Sequence, residues 1–466
     1  MIGGGVVGLA VANALLRAGV EVVSLFPPSP EPGSMASRAA GAMLGAFGEV
    51  TSSDDGVAET AFEFRLRAQR LYSEWLDELC DRARTTVFRA KGTYIVANNT
   101  DRRDRLNLRL MKRRADDVGE PADYVEPEDV PGLEPSPHHV PGLCLYLPRE
   151  HSIDADELLA ALAASAATFD RWTHTPGSAS AVRRDGEGWA VEVSAGHVIR
   201  AQQVVVCAGS RSIEVLPPGL RRAARLPQLF FGKGVSCIVS GGPSLNSTIR
   251  TPNRAFACGI HVVPRASGLL YLGATNHLGS DHDADCGVQP GELHSMFDQI
   301  LHQLTTEVRE SRIEQLRTGY RPIAAHGRPI IGATNLAGLN VATGTYRDGV
   351  LMAPLVGAIV AAGIIGDPDG PANPFPANFE DTSMDPDSLV ETGIQDIIAF
   401  LHEPRGELPY DRAEELRKYL TALFHMALEN NGRYSALRDQ IHEELERAPL
   451  NETMHKLFRC IVDEAG

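Results

Sequence analysis

The feature that most constrains the fold is a glycine-rich turn at residues 3–8, GGGVVG, which fits the pattern G-x-G-x-x-G. Its spaced glycines, Gly3, Gly5 and Gly8, allow a tight turn, a close approach of backbone to a diphosphate, and close packing of a helix on a sheet. A helical pattern follows over residues 6–18, and the apolar run VEVVSLF follows at 20–26. This order is typical of a nucleotide-binding βαβ unit, whose helix N-terminus attracts an anion. The sequence therefore predicts a dinucleotide site at this turn.

The turn departs from the usual pattern in two ways. An acidic residue ordinarily ends the second strand and binds a ribose hydroxyl, but Phe26 stands near that position, with Glu21 before the strand and Glu31 beyond it. The ribose contact is therefore unassigned. The first strand should be central in the sheet, yet only Met1 and Ile2 precede the turn. A missing central strand would leave backbone N–H and C=O groups of its neighbouring strands without partners. We therefore hypothesise that the start of the chain was assigned too late.

The rest of the chain mixes helical and extended patterns. Helical spacing of apolar residues predicts helices at 61–81, 154–167 and 292–306, and β-rich runs predict strands at 201–210 and across 227–280. Asp154 is the expected N-cap of the second of these helices. The run AQQVVVCAGS at 201–210 is continuously apolar, which favours a strand buried on both faces of a parallel sheet.

Composition and charge exclude several functional classes. A chain of 466 residues favours two or three domains, and a formal net charge of −16 argues against nucleic acid and anionic membranes as partners. The 7 cysteines are widely spaced without a CxxC pair, which favours reduced thiols and a cytoplasmic location. The histidines form no HxxxH or HExxH pattern, so no metal site is expected. No segment is long and apolar enough for a membrane span.

The C-terminal part differs in character. Residues 366–379 are rich in Pro, Gly and Asn and predict a boundary, with a linker at 367–384. Residues 385–466 have helical spacing with many charges and predict an α-helical extension. Two interpretations are open: a small bundle or clamp against the rest of the protein, or a docking module for a protein partner.

Five motifs occur in order with regular spacing, and together they resemble the D-amino-acid oxidase family of flavoproteins, in particular its glycine oxidase branch. The motifs are SMASRAAGAMLGAFGE (34–49), VVVCAGS (204–210), HVVPRASGLLYLGAT (261–275), GYRPIAAHGRPIIG (319–332) and ATGTYRDGVLMAP (342–354). The resemblance covers about residues 1–366. It implies an α/β fold in which a Rossmann-type FAD-binding domain is interleaved with an antiparallel β-sheet substrate domain, and it implies FAD as cofactor.

The resemblance also divides the chain and assigns cofactor contacts. The FAD-binding segments are expected at about 1–80, 150–220 and 320–366, and the substrate domain at about 85–150 and 225–320. With the first turn included, the expected cofactor-binding residues are Gly3, Gly5, Val6, Val7, Gly8, Ser37, Ala39, Ala40, Gly41, Ala208, Gly209, Gly344, Arg347, Asp348, Gly349 and Val350. Two alternatives stay open, since Ser37 could simply cap the following turn and Arg347 could be structural.

Three residues are the catalytic candidates. Arg321, in GYRP, matches the arginine that binds the substrate carboxylate in the family, and its planar fork of donors suits that group. A structural ion-pair arginine is the alternative. His261 stands where a Tyr is usual, and it is either a carboxylate donor or a neutral strand histidine bonded to backbone. Asn276 replaces an apolar residue after GAT. If these polar residues serve the site, the substrate is more polar or larger than glycine, or is an N-substituted glycine.

The resemblance implies an oxidase of a small amino acid or amine. Hydride transfer to FAD would give an imine and then a 2-oxo acid and ammonia, and dioxygen would give hydrogen peroxide. A specialised biosynthetic pathway and a homo-oligomer are further expectations. The alternatives are a sarcosine-type or other FAD-dependent amine dehydrogenase, and a non-catalytic flavoprotein that acts through its helical tail.

Overall fold

The computed structural model describes residues 1–27, 35–50, 56–98, 102–137, 139–194, 196–253, 259–279, 282, 287–324 and 327–378. The helical extension expected at 385–466 lies outside the described residues, as does the expected linker beyond residue 378.

The described elements alternate between helices and strands along the chain. The α-helices are α1 (Val6–Arg17), α2 (Gly56–Ala83), α3 (Arg102–Asp117), α4 (Ala155–Ala166), α5 (Pro218–Ala223), α6 (Pro290–Gln303) and α7 (Gly349–Ile365). The strands are β1 (Val22–Phe26), β2 (Met43–Leu44), β3 (Arg89–Ala90), β4 (Thr93–Asn98), β5 (Asp123–Val125), β6 (Pro141–Leu147), β7 (His151–Ile153), β8 (Trp172–Pro176), β9 (Ala179–Asp185), β10 (Gly188–Val193), β11 (Val198–Ala201), β12 (Val204–Val206), β13 (Leu229–Ser240), β14 (Thr248–Arg250), β15 (His261–Pro264), β16 (Leu270–Gly273), β17 (His277–Gly279), β18 (Arg312–Ala324), β19 (Ile330–Ala333) and β20 (Leu339–Thr343).

The first sheet is mostly parallel and has Ile2 at its centre. β1 pairs in parallel with β8, and β12 pairs in parallel with β20, which continues antiparallel to β19. Ile2 forms parallel bridges to both Leu25 on β1 and Val206 on β12, so this residue joins the two halves. All three residues of β12 are buried, as the apolar run at 201–210 predicts.

Helices α1 and α7 pack together against this sheet. α7 is buried on almost every side, which explains its uniformly apolar sequence. The two helices come close at Gly357, where an added Cβ would lie 3.0 Å from the carbonyl O of Ala10. No helix among the described residues has the length and apolar character that crossing a membrane requires.

The second sheet has nine strands and is mainly antiparallel. Its order is β17-β13-β16-β15-β14-β4-β6-β5, and β18 pairs with β13 along nearly the full length of both strands. This pairing places Gly232 opposite Arg321. Helix α6 contributes Met296 and Ile300 to the core under this sheet. The strands expected across 227–280 and the helix expected at 292–306 are therefore present.

The Pro-rich stretch after α7 packs on the first sheet as far as it is described. Backbone N–H of Ile331 donates to the carbonyl of Phe375 at 2.9 Å, and Ala377 N–H donates to Ile331 at 3.1 Å. The Phe375 ring is buried edge-on against Phe64, with centroids 5.3 Å apart. The first part of the expected linker thus covers the core, while the domain boundaries stay a prediction.

Asp154 and Arg265 tie the two sheets together. Asp154 caps α4 as expected, because its Oδ1 accepts the N–H groups of Asp156 at 2.9 Å and Glu157 at 3.1 Å. Its Oδ2 lies 3.6 Å from Nε of Arg265, which is 3% exposed. Arg265 in turn donates through Nη2 to the carbonyl groups of residues 40 and 41, at 3.1 and 3.2 Å. The carboxylate of Asp154 therefore caps α4 and also compensates the charge of the buried Arg265. Arg265 in turn fixes the chain at residues 40 and 41, before β2.

Removing this carboxylate should destabilise the protein in two separable steps. We expect Asp154→Asn to lower the free energy of unfolding by about 3 kcal/mol, since the amide still caps α4 but leaves Arg265 without its counter-charge. Asp154→Ala should cost about 1 kcal/mol more, because it also removes the cap. Urea unfolding of both variants measures this, and equal stability of wild type and Asp154→Asn would contradict the role of the ion pair.

Candidate active site

A cavity of about 920 Å³ lies where the first turn, the end of β12, residues 35–40 and β18 meet. Most of the expected cofactor residues line it: Gly3, Gly5, Val6, Val7, Ser37, Ala39, Ala40, Ala208, Gly209, Arg347, Gly349 and Val350. Arg321 lines the same cavity. The structure therefore brings the motifs from distant parts of the chain to one place.

The start of α1 presents open backbone donors to the cavity. Gly5 is the N-cap and provides no side chain to cap the helix, while Val6 N–H donates to Ser37 Oγ at 3.0 Å. Gly3 has a φ of +113°, and a Cβ there would overlap the carbonyl O of Cys207. A helix start without an N-cap side chain, beside backbone that carries no side chains, fits the diphosphate of a dinucleotide.

The end of β1 carries no carboxylate, as the sequence indicates. The Phe26 ring lines the cavity and stacks on His174, with centroids 4.0 Å apart. The acidic residue in the described part of the lining is Glu214, far along the chain. Its Oε1 lies 3.1 Å from Nδ1 of His282, and Nε2 of that ring lies 2.8 Å from Ser210 Oγ. Sequence reasoning missed these three residues because no local pattern connects them.

Four of the expected cofactor residues do not line the cavity and support it from behind. A Cβ on Gly8 would overlap the carbonyl O of Gly3, and one on Gly41 would lie 2.9 Å from Nε2 of His261. Gly344 adopts a φ of +72° at the turn after β20, and Asp348 faces Arg65 at 3.6 Å. A direct cofactor contact of Gly8, Gly41, Gly344 and Asp348 stays a prediction.

Arg321 is held at one of its terminal nitrogens. Nη1 donates to Asn276 Oδ1 at 2.9 Å, to the carbonyl of Thr275 at 3.0 Å and to the carbonyl of Gly232 at 3.4 Å. The guanidinium lies on Gly234, where a Cβ would overlap it. Among the described residues, Nη2 and Nε of Arg321 have no acceptor and no carboxylate partner. The guanidinium therefore keeps two donor nitrogens, Nη2 and Nε, for a ligand.

Asn276 links Arg321 to the cavity wall. Besides accepting from Arg321, its Nδ2 donates to the hydroxyl of Tyr346 at 2.6 Å. Tyr346 lines the cavity, whereas Asn276 lies behind it. Tyr346 was missed as a site residue, although it stands directly before Arg347 in the motif GTYRDGV.

His261 is a buried strand histidine. Its Nδ1 donates to the carbonyl of Gly259 at 2.8 Å, and its ring stacks on Tyr271 with centroids 5.5 Å apart. Burial, and next the charge of Arg250, lower the pKa of His261 to about 3. The protonated donor considered from the sequence is therefore disfavoured, and the contacts agree with the backbone-bonded alternative. A catalytic role of His261 stays a prediction.

Arg347 is neutralised by a carboxylate whose side chain is 15% exposed. Its Nη2 lies 2.6 Å from Oε2 of Glu49, and Oε1 of Glu49 accepts from Asn253 at 2.6 Å. Burial alone would raise the pKa of Glu49, but Arg347, Arg65 and other donors together hold it below its usual value. Burial and the charge of Glu49 raise the pKa of Asp348 to about 7. Glu49 is thus the ionised member of this pair of neighbouring acids.

Glu150 is a third acid in this region, and it is fully buried. Its Oε1 accepts the N–H of Phe47 at 2.7 Å. Burial raises the pKa of Glu150 to about 7, against the opposing effect of that hydrogen bond and of Arg250. The side chain fixes the short helical turn Phe47–Glu49 that carries the partner of Arg347.

No group of three or more His, Cys, Asp or Glu residues in the described ranges has an arrangement that could hold a metal ion. The fold and the cavity define an α/β protein with a cavity at the start of α1 that fits a dinucleotide. The chain belongs to the FAD dependent oxidoreductase family, whose profile matches residues 1–362. It is an FAD-dependent oxidoreductase with FAD as its cofactor, and the family resemblance drawn from the five motifs is confirmed.

Glycine oxidases are among its similar proteins. The glycine oxidase of Geobacillus kaustophilus (strain HTA426) is 27% identical over 366 residues, which cover 78% of this chain and 91% of that protein. The crystal structure of glycine oxidase from Geobacillus kaustophilus matches with a TM-score of 0.69 at 24% identity, covering 81% of this chain and 97% of that one. The iminodiacetate oxidase from Chelativorans sp. BNC1 matches with a TM-score of 0.67 at 20% identity, covering 81% and 99%. The last two likenesses establish the fold.

Gly3 should be essential for FAD binding. We expect Gly3→Ala to weaken FAD binding on the order of 100-fold or to abolish it, because the new Cβ overlaps Cys207 and strains a positive φ. Titration of the apoprotein with FAD, followed by flavin fluorescence, measures the affinity. The control is Gly219→Ala, at a position where an added Cβ meets nothing within 4 Å. Equal FAD affinity of the Gly3→Ala variant and wild type would contradict the placement of the diphosphate.

Glu150 should make stability depend on pH. Because its pKa is about 7 in the folded state and 4.5 ordinarily, the unfolded state releases its proton first, and stability falls as the pH rises from 4.5 to 7. This loss amounts to about 3 kcal/mol and persists above pH 7. We expect Glu150→Gln to flatten that part of the profile and to raise the melting temperature at pH 8. Glu63→Gln, at an exposed position of α2, is the control, and parallel profiles of all three proteins would contradict the assignment.

Proposed function

We propose that the protein is an oxidase of a small amino acid or N-substituted amino acid, in which Arg321 binds the substrate carboxylate. One observation carries the proposal: Arg321 lines the cavity, its Nη1 is saturated by protein acceptors, and its Nη2 and Nε have no acceptor among the described residues. A carboxylate accepts two parallel N–H bonds from such a fork. The similarity to glycine oxidases supports the same class of substrate.

The charges around the cavity favour a single carboxylate anchor. Arg347 also lines the cavity, but Glu49 compensates it at 2.6 Å. His261 is neutral because its pKa is about 3. Arg321 has no carboxylate within ion-pair distance in the described part of the chain. A substrate carboxylate therefore gains the most electrostatic binding energy at Arg321. A neutral amine without a carboxylate gains no such energy there.

The cavity wall beside Arg321 favours a substrate that carries a polar group. Tyr346 lines the cavity, and its hydroxyl is held by Asn276, which accepts a hydrogen bond from Arg321. A positioned hydroxyl recognises a polar substituent and discriminates strongly against an analogue that lacks it. We infer a preference for a polar or N-substituted amino acid over free glycine.

The chemistry divides between cofactor and protein. FAD, when bound, would accept a hydride from the substrate carbon and leave an imine, which water would hydrolyse to a 2-oxo acid and ammonia, or to a 2-oxo acid and a primary amine where the substrate is N-substituted. We propose dioxygen as the final electron acceptor, which would be reduced to hydrogen peroxide. The helix donor at Val7 and the glycines of the first turn would hold the diphosphate, while Ser37 accepts the N–H of Val6. Arg321 orients the substrate, since fixing its carboxylate fixes the direction of the reacting C–H bond.

Anaerobic titration of the FAD-loaded protein tests the proposal. A panel of glycine, sarcosine, D-alanine and polar amino acids is added while the flavin absorbance is followed, and peroxide is then measured in air. We expect one class of amino acids to bleach the flavin and to yield peroxide. Bleaching without peroxide would favour a dehydrogenase, and no bleaching by any member would reject an amino acid as substrate.

Arg321 should act through substrate binding. We expect Arg321→Ala to lower kcat/KM by a factor on the order of 10²–10⁴, because two charge-assisted hydrogen bonds are lost, and Arg321→Lys to retain part of the activity. Steady-state kinetics with the preferred amino acid measures this at matched FAD content. Tyr346→Phe is the comparison: it should lower kcat/KM for polar substrates and leave glycine turnover almost unchanged. An unchanged kcat/KM in Arg321→Ala would contradict the anchor.

A further inference from the structure

An aromatic ring occupies the position at which a dinucleotide site ordinarily binds the adenosine ribose. In a βαβ unit, the residue that ends the strand after the first helix lies beside this sugar, and a carboxylate there accepts a hydrogen bond from the 2′-hydroxyl. The strand after α1 ends at Phe26, which lines the FAD cavity together with Gly3 and Gly4 of the turn. A phenyl ring offers a hydroxyl no such acceptor, so this end of the cavity must hold the adenosine half of FAD differently.

The side chain of Phe26 lies over the glycine-rich turn. A Cβ added to Gly4 would lie 2.5 Å from Cγ of Phe26, so the ring rests directly on the backbone of the turn. The backbone below it is fixed, because Gly3 N–H donates to the carbonyl of Leu25 at 3.0 Å. The ring therefore stands next to the diphosphate-binding turn, where a nucleotide bound at α1 places its sugar.

Neighbouring rings hold Phe26 in place. His174 stacks on Phe26 with centroids 4.0 Å apart, and Nε2 of His174 lies 3.0 Å from the carbonyl O of Phe26. Trp172 stacks on the same imidazole at 6.1 Å, and its Nε1 donates to Ser24 Oγ at 3.0 Å. Because the Phe26 ring is already ordered, a ligand that packs on it loses little binding energy to side-chain ordering.

The acid in the described part of the cavity lining, Glu214, is engaged elsewhere. Its Oε1 lies 3.1 Å from Nδ1 of His282, and its Oε2 accepts from Nη1 of Arg211 at 3.0 Å. The hydrogen bond from His282 holds the pKa of Glu214 below its usual value. Both carboxylate oxygens thus already have protein donors, and Glu214 does not replace the acid that β1 lacks.

We propose that the Phe26 ring holds the adenosine ribose of FAD by apolar contact, and that no carboxylate recognises the 2′-hydroxyl. Phe26 thereby makes the site tolerant of changes at this hydroxyl, which a site with an acid at the same position rejects. The inference depends on FAD as the cofactor and not on the substrate proposed above, since each readout below is a binding equilibrium.

Competition between two flavins tests the proposal. The probe is an FAD analogue whose adenosine ribose lacks the 2′-hydroxyl. The FAD-loaded protein is incubated with an excess of an equimolar mixture of FAD and this analogue until the ratio of bound flavins is constant, and the bound flavins are quantified by chromatography. We expect a ratio within about threefold of one. A preference for FAD of more than about tenfold, the size of a hydrogen bond to a charged group, would overturn the proposal.

Substitution of Phe26 changes affinity and discrimination separately. Phe26→Ala should weaken binding of both flavins equally, by roughly tenfold, because the apolar contact is lost. Phe26→Glu should create a preference for FAD of about tenfold or more, because its carboxylate accepts from the 2′-hydroxyl. Misfolding cannot produce that gain. Unchanged FAD affinity in Phe26→Ala, measured by flavin fluorescence on dilution of the loaded protein, or equal binding of both flavins by Phe26→Glu, would overturn the proposal.

Three control variants address other acids and other rings. Glu214→Gln and Glu31→Gln should leave the ratio of bound flavins unchanged. Tyr124→Ala removes an exposed ring on β5, outside the cavity lining, and should leave the FAD affinity unchanged. A ratio that moves toward the analogue in either glutamine variant would assign the 2′-hydroxyl to that acid and contradict the proposal.

Discussion

The architecture depends on one residue of extended backbone at the centre of the first sheet. Ile2 donates to Val205 at 2.9 Å and accepts from Cys207 at 2.7 Å, and its neighbour Gly3 donates to Leu25 at 3.0 Å. These bonds join β1 and β12 and fix the direction in which the chain leaves the sheet. Because Gly3 then passes directly over Cys207, a side chain has no room there. The cavity begins at this point, since α1 starts immediately afterwards without an N-cap side chain.

Glycines that leave no room for a side chain also shape the other end of the cavity. β13 carries glycines at 232 and 234, and β18 lies antiparallel to it. Added Cβ atoms would overlap Asn276 at Gly232 and the guanidinium of Arg321 at Gly234. Long side chains from β18 and from the segment after β16 can therefore lie flat on β13. Missing side chains thus make room at one end for the turn that leads into α1 and at the other end for the guanidinium of Arg321.

The spacing of residue types along the chain was enough to predict structural features that are determined by residues close together in the sequence. The turn at Gly3, the helix after it and the cap at Asp154 follow from spacing and turn chemistry. The strand predicted at 201–210 is present only as β12, Val204–Val206, because the chain turns at Gly209. Partners across long separations were not predictable: nothing near Arg347 in the chain indicates Glu49. The protonation state of His261 also depends on burial by distant strands, which no motif encodes.

The electrostatics of the site follow from how the buried charges are compensated. Glu49 is ionised beside Arg347, whereas burial raises the pKa of both Asp348 and Glu150 to about 7. Breaking such a buried set by removing one member is costly, so the set fixes the position of Arg347 more than it stabilises the fold. Because the cluster compensates its own arginines, Arg321 is the cation of the described lining that lacks a protein counter-charge. A carboxylate entering the cavity supplies that counter-charge, and the gain is large because the surroundings are partly buried. In the proposed function, selectivity for an acid over a plain amine would therefore follow from where the protein places its own carboxylates.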